Sequence, residues 1–194
     1  MKKLIALIAL CCLAIAPATV GAQSAGNLTG GIVADYARLA KATRFVENYK
    51  EMAAVAAKVL AARGKAKDKE YARFMRVIST ADLSDISDCI TEVYASQDLG
   101  VTDVNELIAT FEAPLGVKLL KNSQKKVLRD VERGSPSPMP LDTFSEQEKQ
   151  AMAKLFKRPA FINYSRMVAS REFTAGTTQC FKSTKAVKEG GFKF

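Results

Sequence analysis

Four glutamates, Glu106, Glu112, Glu146 and Glu148, are the residues of this sequence closest to a catalytic pattern. They flank two proline-bearing segments, and a pair of carboxylates can cleave a glycosidic bond if one of them works as a general acid. That role requires an apolar cleft that raises the carboxyl pKa. The same positions serve equally well as first-turn or capping acids of helices. Ser123 and Lys126 fit S-x-x-K, with the lysine one helical turn from the serine, but the accompanying K-T-G and second Ser or Tyr motif are absent. Histidine and tryptophan do not occur at all. This removes the commonest general base, the Ser-His and Cys-His nucleophile pairs, and His-ligated zinc or haem. No metal-ligand cluster, phosphate-cradling glycine loop or nucleic-acid motif is visible, so the sequence implies no cofactor, no metal and no nucleic-acid partner.

Binding chemistry has a clearer trace. Lys118, Lys121, Lys125 and Arg129, spaced three, four and four, form a basic stripe on one flank of an expected helix. Such a stripe is either a solvated face or a contact for an acidic envelope protein or an anionic membrane surface. The formal charge of the chain is +9. The leading expectation is therefore a non-enzymatic interaction module, and the alternative is a cell-wall glycan hydrolase acting through its glutamates.

The opening MKKLIALIALCCLAIAPATVGA reads as a secretory signal peptide, 1–22: two lysines, an apolar core over 4–16, Pro17, then small residues, with Val20 and Ala22 before the cut. The apolar run is too short for a permanent anchor. Leu10 and Cys11 precede the two signal cysteines where a lipoprotein signal needs a small residue. Loss of Lys2 and Lys3 with no acid lowers the charge to +7, and 172 residues remain, enough for one domain in the periplasm. Cys89 and Cys180 survive cleavage, and an even pair in an oxidising compartment is expected to be bridged, against the alternative of two separately buried thiols.

The elements that must position these groups are helices. Residues 23–31 read as a flexible leader, and 32–189 as a helical domain of six or seven helices. Ile32, Tyr36, Leu39 and Val46 lead a long helix ended by Gly64. A charged connector, 65–69, precedes a shorter amphipathic helix. Asp82 reads as an N-cap ahead of the stripe Leu83, Ile86, Ile90 and Val93, with Cys89 at its edge. Thr102 reads as the cap of the next helix. GSPSPMP, within a linker 134–143, favours extended polyproline geometry. Ser145 and Glu148 make a capping box. The last long helix begins near Ala160 with a break expected at Gly176, and 190–194 form a tail. No segment alternates as a strand, so the fold class is an all-α single-domain bundle.

Two segments repeat a helix, a proline corner and a second helix. In FEAPLGVKLL an apolar run meets Pro114, then Gly116; FKRPAFINY repeats the proline 45 positions later at Pro159. Proline disfavours helix at the residue before it and suits the first position of a new helix. The stretch ELIATFEAPLGVKLL, through Glu106, Phe111, Pro114, Gly116 and Lys118, resembles the hallmark of exported bacterial proteins of the domain-of-unknown-function family two-zero-five-nine. Glu112 stands where that family carries a second aromatic, and the second corner lacks the Gly and Lys. The resemblance spans about a third of the chain and implies an all-helical exported protein with no known activity.

Overall fold

The computed structural model describes residues 30–64, 66–97 and 99–192. The expected signal peptide, 1–22, and residues 23–29 of the expected leader lie outside them. Among the described residues the chain is all-α, with α-helices α1 Gly30–Ala42, α2 Phe45–Arg63, α3 Ala66–Thr80, α4 Ser87–Ala95, α5 Val101–Glu112, α6 Pro114–Arg133, α7 Glu146–Leu155, α8 Pro159–Ala169, α9 Arg171–Ser183 and α10 Lys185–Glu189. No described helix is long and apolar enough to cross a membrane.

The expected helix count rises because the two longest expected helices are divided. The first breaks at Thr43–Arg44. Arg44 adopts left-handed geometry (φ 52°, ψ 39°), the Thr43 hydroxyl donates to the Ala40 carbonyl at 3.0 Å, and the Asn48 amide donates to the Thr43 carbonyl at 3.0 Å. A non-glycine residue in this region costs about 1–2 kcal/mol, so the surroundings must favour the bend. Helix α1 also starts earlier than expected, at Gly30, and α3 takes in residues expected to form the connector. The break expected at Gly176 falls instead at Ser170, whose hydroxyl accepts from the Phe173 amide and caps α9. Gly176 lies inside α9, where a Cβ would meet Val93 at 3.0 Å. A third division, at Thr184, sets off α10 with another hydroxyl cap.

Two further caps differ from expectation. Gly100, not Thr102, is the N-cap of α5. Asp82 accepts from the Ser84 amide at 3.0 Å, opening a 3₁₀ turn, Ser84–Ile86, ahead of α4. The capping box at Ser145 and Glu148 forms with both of its bonds.

Helices α2 and α3 form a hairpin, with α6 against α2, α1 against α4 and α5, and α9 against α4. The core includes Leu39, Met75, Ile78, Ile86, Ile90, Leu107 and Phe181, all essentially inaccessible. Cys89 and Cys180 are bridged, with Cα atoms 5.8 Å apart, and fasten α9 to α4. Closing 91 residues stabilises by at most about 4–5 kcal/mol in the chain-entropy account. Asp130, fully buried on α6, accepts from Lys126 at 2.6 Å and from the Ser137 hydroxyl, so the proline-rich linker is tied back to the helix it leaves. Buried charge is tolerated only when paired in this way.

Candidate functional site

Each of the four glutamates is held by a cation. Arg38 grips Glu112 through two nitrogens, at 2.9 and 2.5 Å. Lys118 donates to both carboxylate oxygens of Glu148, at 2.8 and 2.7 Å, and the Ser145 amide donates to the same group at 2.7 Å. Arg158 reaches Glu106 at 3.1 Å, and Lys149 reaches Glu146 at 2.6 Å. The hydrogen bond from Arg38 holds Glu112 below its ordinary carboxylate pKa, and those from Lys118 and the Ser145 amide do the same for Glu148. A general acid needs the opposite shift.

The basic stripe lies on the outer side of α6 but is not uniform. Lys118 is spent on Glu148 and lies over the Phe144 ring at 5.0 Å. Arg129 is half-buried, with an Nε that has no hydrogen-bond partner among the described residues. Lys121 and Lys125 are exposed and form no ion pair there.

The five residues Glu106, Phe111, Pro114, Gly116 and Lys118 are all joints between helices. Pro114 is the first residue of α6, after Ala113 in extended geometry (φ −70°, ψ 152°). At Gly116 a Cβ would meet the Thr110 carbonyl oxygen at 1.9 Å, so only glycine lets α6 start this close to α5. Phe111 packs on Phe161 and Tyr164 of α8, with ring centroids 6.2 and 5.2 Å away. Glu106 holds Arg158 ahead of α8, and Lys118 holds Glu148 of α7.

The feature that residue-by-residue reading missed is a pocket of about 200 Å³ on the inner side of α6. Its rings are Phe45, Tyr49, Tyr71, Tyr164 and Phe173; Met52, Leu120, Val127 and Val168 add aliphatic wall; and Thr43, Asn48, Ser123, Gln124, Thr174, Thr177 and Thr178 supply neutral polar groups. Among the described residues no charged side chain lines it. Several of these polar groups are spent within the fold. The Gln124 amide donates to the Asn48 carbonyl at 2.9 Å, Thr174 to Ser170 at 2.9 Å, and Thr177 to Phe173 at 2.8 Å. The hydroxyls of Tyr49, Tyr71 and Ser123 make no hydrogen bond among the described residues. Burial, and then the neighbouring Tyr71, push the Tyr49 phenol well above its ordinary pKa; burial raises Tyr71 too. Both phenols are therefore neutral donors at physiological pH. The pocket draws on α2, α3, α6, α8 and α9, so no contiguous motif announces it; its local traces are the helical spacings Phe45, Asn48, Tyr49, Met52 and Leu120, Ser123, Gln124, Val127.

Among the described residues no three Cys, Asp or Glu side chains converge as metal ligands would. No family model, curated protein or solved structure matches the chain.

Proposed function

We propose that this chain is a non-enzymatic interaction module of the bacterial cell envelope. In this reading it is exported to the periplasm by a signal peptide cut after Ala22, and it meets an anionic surface through the outer side of α6. Membership of the exported family whose hallmark the Glu106–Lys118 stretch resembles belongs to the same proposal. The observation that carries it is the fate of the charges. All four glutamates suited to the rival hydrolase are bound to Arg or Lys, while Lys121 and Lys125 are exposed on α6 and form no ion pair among the described residues. A positive pair fixed in this way attracts acidic lipid headgroups or an acidic protein face, and the attraction weakens with salt.

The test is co-sedimentation with acidic and with neutral vesicles at low and high salt. Each lysine near an acidic membrane contributes about 1 kcal/mol, so Lys121→Gln with Lys125→Gln should weaken binding to acidic vesicles about thirtyfold at low salt. Glutamine keeps helix propensity, so the variant should fold. Equal binding by the two proteins would remove the surface from consideration. Release of fragments from peptidoglycan, abolished by Glu112→Gln or Glu148→Gln, would establish the hydrolase instead.

A further inference from the structure

We propose that the pocket between α2, α6 and α9 is a binding site for an uncharged small molecule with a ring-sized apolar body and a hydroxyl or carbonyl group. Three observations point to that class. The first is size: an apolar cavity of about 150 Å³ accommodates benzene, and this one is about 200 Å³, so it takes a ring and a few more atoms. The second is charge. A quarter of the chain is Asp, Glu, Lys or Arg, yet among the described residues none of these lines the pocket; an ion entering would lose its hydration and meet no counter-charge there. The third is the set of hydroxyls on Tyr49, Tyr71 and Ser123, which have no partner among the described residues, whereas Gln124, Thr174 and Thr177 beside them are spent within the fold. A ligand oxygen placed near the phenols would accept hydrogen bonds that the fold itself does not use and that otherwise go to solvent.

The aromatic lining favours a ring over a flexible chain. Tyr49 is already fixed by stacking on Phe181 at 3.8 Å between centroids and 13° between planes, and Phe45 stands edge-on to Phe173 at 5.6 Å. Both rings are thus pre-set before a ligand arrives, and a second aromatic body adds offset or edge contacts without reordering them. The bend at Arg44 belongs to the same construction, since it sits between two lining residues, Thr43 and Phe45, the second of which packs on Phe173 and Phe181 of α9.

This site is independent of the outer face of α6, and the experiment keeps the two apart. The disulfide-bonded protein would be titrated with 2-naphthol, with naphthalene and with 2-naphthoate at neutral pH, following tyrosine and naphthol fluorescence. The neutral alcohol should bind at least about tenfold more tightly than the carboxylate, because the pocket offers an anion no partner. Tyr49→Phe with Tyr71→Phe keeps the volume and removes the donors, so it should weaken 2-naphthol about two- to tenfold while leaving naphthalene unchanged. Val127→Phe, which fills the pocket from α6, should abolish binding of both. The phenylalanine pair supplies the reading even if the filled variant does not fold. Lys121→Gln with Lys125→Gln should leave 2-naphthol binding intact. No binding of 2-naphthol, equal affinity for 2-naphthoate, or a preference for 2-naphthol over naphthalene that survives loss of both phenols would each overturn the assignment.

Discussion

At Pro114 the chain turns between helices through one residue, Ala113, whereas at Pro159 it uses three, from Phe156 to Arg158. The residue before each proline has nearly the same backbone, φ −70° and ψ 152° at Ala113 against φ −73° and ψ 137° at Arg158. Proline sets that geometry wherever it opens a helix. What differs is how near the two helices come. The one-residue joint presses the first turn of α6 onto the last turn of α5, and Gly116 makes room for a backbone carbonyl. At the same register in the longer joint stands Phe161, buried and packed on Phe156 at 5.1 Å and on Phe111 of the first corner. One corner is thus closed by the absence of a side chain and the other by a large one, and the two interlock through Phe111 and Phe161.

The sharpest way to break this pairing is Phe161→Ala, which should cost about 3–5 kcal/mol in urea unfolding, as truncation of a buried phenylalanine does. A cost under about 1 kcal/mol would mean that the corners do not support each other. Next comes Gly116→Ala. Helix propensity alone would favour alanine by about 1 kcal/mol, but its Cβ overlaps the Thr110 carbonyl, so the substitution should destabilise by about 1–3 kcal/mol, measured in the same way. Stabilisation instead would show the close approach to be incidental.

The smallest expected effect is electrostatic. Glu112 ends the first corner and Glu148 is held by Lys118 just beyond it, and both carboxyls are lowered in the folded state by their cation partners. A lowered folded pKa contributes stability above the ordinary carboxylate pKa, and the contribution is lost as pH falls through the folded value. Melting temperature between pH 7 and pH 3 should therefore fall less steeply for Glu112→Gln with Glu148→Gln than for the parent, with the gap between the two curves closing below about pH 4.3. Parallel curves would mean that solvent screening leaves neither bridge any weight.

The fold class, both corners, the capping box and the disulfide pair were legible in the sequence because each rests on local chemistry: a 3.6-residue period, a ring-locked φ, a hydroxyl three residues from an acid, an even cysteine count. The breaks at Arg44 and Ser170 were not. The apolar period runs straight through Thr43 and Arg44, neither of which is a helix breaker, and the bend rests on tertiary contacts at Phe45, near Tyr94, Phe173 and Phe181. At Ser170 the capping hydroxyl was present, but Gly176 looked the stronger interruption until Val93 supplied a reason for a glycine inside a helix. The basic stripe was visible as spacing, yet spacing says nothing of Glu148 arriving from another helix to hold Lys118. The pocket was illegible for the same reason, since its neutrality emerges only when five helices meet.

The bond between Cys89 and Cys180 makes a covalent ring of residues 89–180. Both corners and the proline-rich linker lie within it, and Ser135 and Pro136 of that linker are exposed. A single backbone scission there would sever the polypeptide without parting it: the piece carrying α1 to α6 would stay joined to the piece carrying α7 to α10 until a reductant reached the sulfurs. In a compartment where proteases are common and thiols are scarce, such a nicked chain would remain one molecule, with its helices still held in register.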